Sequence, residues 1–123
     1  MIEFFRNLEF NKIHSWSDYF SAPMSTAVLR DLVGGTNKNI RISCAEYHNP
    51  VTLPSVRATG YIFVCSGVLR IRCEASQDTE LVLKENAFCK IPKGHYWIDY
   101  SKGSQFINMW FVEEASACSQ SVD

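Results

Sequence analysis

The stretch "GYIFVCSGVLRIRC", residues 60–73, contains two short strands joined at a glycine. In the second strand, Leu69 and Ile71 alternate with Arg70 and Arg72. That period of two is typical of a strand with one buried and one exposed face. The first strand is apolar at almost every position, so both of its faces need cover. The stretch therefore predicts a β-hairpin within an all-β domain.

Segments of similar length extend this pattern along the chain. About eight strands of five to eight residues, separated by turn residues, favour a sandwich or a barrel. The periodicity of residues 25–33 is ambiguous, and we expect a strand there that ends at Gly34-Gly35. Residues 1–7 are either a short strand or a helical turn. The other expected strands lie in 39–47, 80–92, 95–100 and 105–112.

Length and composition predict one domain with a substantial core. The chain has 123 residues, of which 46% are hydrophobic, and its net charge is −1. That balance gives no basic footprint for nucleic acid. No apolar run approaches the roughly 18 residues of a membrane-spanning helix, and the first residues do not resemble a secretory signal. The five cysteines show no paired spacing, so we expect reduced thiols in a cytoplasmic protein.

We divide the chain into three parts. Residues 1–24 form an N-terminal extension, residues 25–112 a β-barrel, and residues 113–123 a polar and flexible tail. The apolar outer side of strand 61–65 must be covered by the extension or by a second subunit. We expect a homodimer.

The order of strands and turns resembles the cupin superfamily over about residues 39–112. Pro92 and Gly94 match the P-x-G turn of the second cupin motif, and Gly67 matches the closing glycine of the first. Proline fixes φ before a tight reversal, and glycine permits a positive φ within it. The resemblance implies an all-β, cupin-type jelly-roll β-barrel of about eight or more strands, with an N-terminal extension.

The metal ligands of the cupin family do not carry over to this chain. The family's glutamate falls on Gly60, its first two histidines fall within residues 53–56, and its last histidine falls on Trp97. None of these supplies a metal donor, so we expect no metal and no cofactor. A relocated cluster of His48, His95 and Asp99 is the alternative.

A narrower resemblance is to the sugar-sensing domain of AraC-type regulators. It depends on "GYI" at residues 60–62, the P-x-G turn at residues 92–94, and "WFV" at residues 110–112. The resemblance implies that the barrel interior binds a small effector. Those regulators continue into helix-turn-helix motifs that this sequence lacks, so we expect no direct binding to nucleic acid. Because no apolar run is long enough to span a membrane, we also expect no membrane association.

Alternation predicts which side chains line the interior. If Gly60 faces inward, so do Ile62 and Val64, whereas Tyr61 and Phe63 face outward. The facing of strand 105–112 stays open between Asn108, Trp110 and Val112 on one side and Ile107, Met109 and Phe111 on the other. The predicted ligand-binding residues are Ile62, Val64, His95, Trp97, Asp99, Trp110, Arg57 and Tyr47.

Three functions remain open at this point. The first is a metal-free domain that binds a small molecule without converting it. The second is a cupin-type isomerase, lyase or epimerase in which His95 and Asp99, or Tyr47 and His48, act as acid and base. The third is a protein-interaction module with a filled barrel. Exposed arginines (Arg57, Arg70 and Arg72) form either an anion-binding patch or a solvated surface.

Overall fold

The computed structural model describes residues 2–34, 39–46, 58–74, 76–101 and 103–112. Two short α-helices and one 3-10 turn occupy its N-terminal part, and eight strands follow or lie between them. In chain order the elements are α1 (Ile2–Arg6), β1 (His14–Ser15), the 3-10 turn (Trp16–Asp18), α2 (Thr26–Leu32), β2 (Ile40–Glu46), β3 (Gly60–Ser66), β4 (Leu69–Cys73), β5 (Ser76–Leu83), β6 (Ala87–Ile91), β7 (Tyr96–Tyr100) and β8 (Gln105–Phe111).

The described strands form two antiparallel sheets. The larger sheet has the order β1-β6-β3-β8-β2, and the smaller has the order β5-β4-β7. In the larger sheet Ile62 lies opposite Asn108, and in the smaller sheet Ile71 lies opposite Ile98. The predicted all-β fold is confirmed, and the hairpin of residues 60–73 contributes one strand to each sheet.

A first apolar cluster, which we call the inner core, fills the space between the two sheets. It combines β3, β6 and β8 of the larger sheet with β4 and β5 of the smaller. Each of its large side chains contributes roughly 1.5–3 kcal/mol by leaving water. Its members are Ile62, Val64, Leu69, Ile71, Leu81, Leu83, Cys89, Ile91 and Phe106.

A second cluster, the outer core, covers the opposite face of the larger sheet. Tyr61 and Phe63 of β3 pack there against Phe5 and Trp16 of the N-terminal segment. Alternation thus divides β3 between the two cores. The N-terminal segment therefore covers the outer side of β3, as one of the two expected covers, and the homodimer stays a prediction.

Lys90 of β6 connects the larger sheet to the N-terminal segment by a hydrogen bond. Its side chain is 8% exposed, and its ammonium donates a hydrogen bond of 2.6 Å to the backbone carbonyl oxygen of Arg6, the last residue of α1. The ammonium also lies 4.6 Å from the centroid of the Phe10 ring. A cation at the end of a helix satisfies one of its unpaired carbonyl groups.

His14 belongs to the same segment and carries a buried nitrogen. Its Nδ1 lies 3.0 Å from the Tyr19 hydroxyl, while its Nε2 is buried and has no partner among the described residues. Desolvation, followed by the charge of Lys12, lowers the pKa of His14 below its ordinary value, with a smaller opposing effect of Glu9.

The expected strand over residues 25–33 is wrong, because this segment forms α2. The hydroxyl of Ser25 accepts a hydrogen bond of 3.1 Å from the backbone N–H of Val28, which caps the first turn. Leu29 and Val33, four positions apart, are both buried in the outer core. The i, i+4 spacing of buried residues favours a helix here.

The predicted inward facing of β7 is also wrong. Trp97 is 61% exposed, and His95 and Asp99 are exposed as well, whereas Tyr96 and Ile98 pack against the inner core. Directly paired residues share one face of a sheet. Because Ile98 lies opposite the buried residue Ile71, β7 turns its two apolar side chains inward and its polar ones toward solvent.

Two strand connections contain a glycine at positive φ, Gly67 between β3 and β4 and Gly103 between β7 and β8. Gly67 has a φ of +82°, and a Cβ at this position would overlap the Ser104 hydroxyl and lie 2.9 Å from Ser104 Cα. Gly103 has a φ of +83° with open space around it. The glycine that matches the first cupin motif is therefore required for space as well as for conformation.

Candidate functional site

The inner face of the larger sheet changes from apolar to polar as it approaches β2. Two rows of directly paired residues run across β6, β3, β8 and β2 on this face. From β6 to β2, one row is Cys89, Ile62, Asn108 and Ser43, and the next is Ile91, Gly60, Trp110 and Arg41. We call the β8 and β2 half of these rows, Arg41, Ser43, Asn108 and Trp110, the polar end.

Asn108 is the unusual residue of the polar end. It is 5% exposed, and its amide oxygen Oδ1 is buried without a hydrogen-bond partner among the described residues. Its two cross-strand neighbours differ sharply, since Ile62 is buried in the inner core and Ser43 is exposed. A buried carbonyl oxygen without a donor costs about 1–3 kcal/mol. A bound molecule that donates a hydrogen bond would recover that cost.

Arg41 and Trp110 form the second row of the polar end. Arg41 is exposed and lies directly opposite Trp110, which is half-buried. Gly60, on the other side of Trp110, presents no side chain to this surface. The polar end therefore combines a cation, an indole ring and a buried acceptor on one face.

The outer face of the smaller sheet has a different character. Arg70 donates to Glu80 at 3.1 Å, and Arg72 lies 3.9 Å from the same carboxylate. The carboxylate of Glu80 partly neutralises the charges of both arginines. Exposed ion pairs of this kind contribute little to stability. A shallow depression of about 330 Å³ on this face is lined by Val68, Arg70, Asp99 and Ser101. The solvated-surface interpretation of Arg70 and Arg72 fits this pairing.

The predicted ligand-binding residues separate into three groups. Ile62 and Val64 face inward but are packed in the inner core, with almost no exposed surface. Trp110 faces inward and is half-buried. Tyr47, Arg57 and His48 lie outside the described residues. His95, Trp97 and Asp99 lie on the outer face, so they do not form an acid–base pair within the interior.

Two titratable groups of the inner face, Cys89 and Tyr96, are shielded from water. Burial raises the pKa of the Cys89 thiol to about 12, which keeps it protonated. Burial, followed by the proximity of Cys73, also raises the pKa of Tyr96. The Tyr96 hydroxyl donates to the carbonyl oxygen of Pro92 at 2.6 Å, which fixes the P-x-G turn against β7. Both groups have structural roles here.

The residues at the cupin metal positions do not fit a metal. Gly60 has no donor atom, and Trp97, at the position of the family's last histidine, points outward. Among the described residues, no group of three or more His, Cys, Asp or Glu side chains is placed to hold a metal ion. The remaining family positions, within residues 53–56, lie outside the described part.

Sequence reasoning found only part of the polar end. It named Trp110, and it left Asn108 open as one of two possible facings of β8. It did not include Arg41 and Ser43 among the predicted ligand-binding residues. The signal for Asn108 was present, because it is a lone amide between apolar neighbours in "FINMWF", residues 106–111.

No family model matches the chain, and no curated protein matches it. Among the described residues, no helix has the length and apolar character needed to cross a bilayer.

Several solved structures resemble this one. NMB1881 of Neisseria meningitidis is 8% identical with a TM-score of 0.52, and the match covers 62% of this chain and 78% of that one. The candidate ethanolamine utilization protein Q of Salmonella typhimurium is 20% identical with a TM-score of 0.46, and the match covers 60% of this chain and 58% of that one. A DUF861 family protein of Thermotoga maritima is 12% identical with a TM-score of 0.43, and the match covers 81% of this chain and 98% of that one.

The chain thus spans 58% of the length of the Salmonella protein. At 8% identity, the likeness to the Neisseria protein shows a shared fold and carries no activity across. The two antiparallel sheets of this chain agree with the all-β, cupin-like fold that the sequence predicted.

Proposed function

We propose that this chain is a cupin-like domain that binds a small polar molecule at the polar end and does not convert it. The observation that carries the proposal is the buried oxygen of Asn108, which has no donor among the described residues. Recognition sites commonly place a few polar groups against apolar walls. The row of Ile62, Asn108 and Ser43 has that composition.

We propose binding without catalysis because of the side chains at the site. The described residues of the polar end are an arginine, a serine, an asparagine and a tryptophan, and none of these is a residue type commonly used as a general acid or base. The exposed His95, just before β7, and Asp99 of β7 lie on the opposite side of the smaller sheet. A binding role of the kind seen in sensor domains fits these groups better than an isomerase or a lyase.

The test is a binding screen on the full chain by thermal shift, followed by calorimetry for each molecule that stabilises it. Sugars, polyols, hydroxy acids and amino acids form the panel, and proton NMR of the mixture reports any conversion. We expect saturable stabilisation without a new product.

Two variants locate the binding site. Asn108→Val removes the acceptor and should weaken binding about ten- to hundredfold, while Trp97→Ser, on the outer face, should leave the affinity unchanged. Product formation would replace the binding role with an enzymatic one. If the panel leaves the melting temperature unchanged, the interaction module becomes the better explanation.

A further inference from the structure

The strand register fixes how far apart the two polar anchors of this site lie. Arg41 is directly opposite Trp110, and Asn108 is two residues from Trp110 on the same face of β8. Arg41 and Asn108 are therefore diagonal neighbours, whose Cα atoms lie roughly 7–8 Å apart in an antiparallel pair. A molecule of a few carbon atoms is long enough to contact both side chains.

Arg41 supplies a positive charge to this face. Among the described side chains that face the space between the sheets, Arg41 is charged and none is a carboxylate. A guanidinium has five N–H donors in a planar fork, so one partner within the protein leaves donors for a second. Its geometry matches a carboxylate or a phosphate better than a hydroxyl group.

Asn108 imposes the complementary requirement at the other end. Its buried oxygen accepts hydrogen bonds, so the part of the ligand that reaches it must carry a donor such as a hydroxyl. Trp110, half-buried between the two anchors, offers an apolar surface to a carbon skeleton. The three side chains together describe a molecule with an anionic end, a short carbon chain and a hydroxyl.

We infer that the ligand class of the polar end is a small hydroxylated anion, such as a hydroxy acid or sugar acid of about three to six carbons. Its anionic group binds Arg41, its chain packs on Trp110, and a hydroxyl donates to Asn108 Oδ1. This inference rests on the proposed function and adds the charge and the size of the ligand to it.

Three six-carbon probes separate the two requirements by calorimetry on the full chain. Gluconate has both the carboxylate and the hydroxyls, sorbitol has the hydroxyls alone, and adipate has carboxylates alone. We expect gluconate to bind about ten- to hundredfold more tightly than either, since each lost anchor removes a buried or charge-assisted hydrogen bond. Glycerol 3-phosphate, the fourth probe, distinguishes a phosphate from a carboxylate at Arg41.

Variants assign the two preferences to their residues. Arg41→Gln should remove the preference of gluconate over sorbitol and leave the affinity for sorbitol unchanged. Asn108→Val should remove the preference of gluconate over adipate. Arg70→Gln, on the outer face of the smaller sheet, is the matched control for the loss of an arginine and should change neither ratio.

The outcomes separate this inference from the proposed function. Equal binding of gluconate and sorbitol, or an unchanged preference in Arg41→Gln, overturns the anionic ligand while binding itself stands. Equal binding of gluconate and adipate overturns the hydroxyl contact to Asn108. If neither these probes nor any member of the wider panel binds, the inference and the proposed function both fail.

Discussion

Replacing Asn108 by valine should make the ligand-free protein more stable. The side chain is 5% exposed, and its Oδ1 has no donor among the described residues. Valine has no polar atom to bury in the side chain and favours strand geometry. A residue kept for binding at the expense of stability is a common feature of functional sites.

The magnitude follows from the cost of the unpaired oxygen. A buried polar group without a partner costs about 1–3 kcal/mol, and an apolar replacement removes that cost. Unfolding entropy near 2.1 cal/mol/K per residue gives about 0.26 kcal/mol/K for this length of 123 residues. The melting temperature of Asn108→Val should therefore rise by roughly 4–12 °C.

Calorimetric melting of the wild type and the variant without ligand measures this shift, and urea unfolding checks that the m-value is unchanged. Ser43→Ala, on the exposed neighbour in the same row, is the control and should alter stability by less than about 0.5 kcal/mol. A melting temperature that falls in Asn108→Val would show that its amide is already hydrogen-bonded within the folded chain. The reasoning behind the binding site would then be refuted.

The remaining predictions concern the turn, the facing of β7 and the N-terminal segment. Gly67→Ala should lose more than 2 kcal/mol in urea unfolding, whereas Gly103→Ala, with a similar φ and open space, should lose only about 1 kcal/mol; equal losses would mean that space is not limiting. Trp97 is exposed, so Trp97→Ser should change the free energy of unfolding by less than about 0.5 kcal/mol. Tyr96 packs against the inner core, so Tyr96→Ser should cost about 2–4 kcal/mol. The reverse order would show that β7 faces the other way. Because the folded protein favours neutral His14, its stabilising effect is complete above the ordinary pKa of 6.5 and declines as the pH falls below that value. His14→Gln should flatten this dependence in unfolding measured from pH 7.5 to 5, and an unchanged profile would show that other groups control it.

The sequence predicted the features that depend on neighbouring residues. Alternation divided β3 and β4 correctly, so that Ile62 and Leu69 lie in the inner core and Tyr61 and Arg70 lie on the outer faces. It also showed that the outer side of β3 needed cover. These are properties of the two-residue period and of turn chemistry, which act over a few positions.

The errors have a common physical origin. In residues 25–33 the apolar pattern suits a helix as well as a strand, and packing of Leu29 on the outer core decides for the helix. In β7 either face was acceptable by alternation alone. A motif count placed Trp97 inward, but burial of Tyr96 and Ile98 against β4 favours the opposite facing.

The sequence by itself determined an all-β chain with a glycine turn, a P-x-G turn and an apolar strand that needs cover on both sides. The tertiary structure alone decided which polar residues meet. Arg41 is more than 60 positions from Asn108 and Trp110 in the sequence, and only the pairing of β2 with β8 brings it next to them. Asn108 and Trp110 share β8, but the sequence left open which face of that strand points inward. Long-range register determines that arrangement, because a shift of one residue would turn every one of these side chains to the other face.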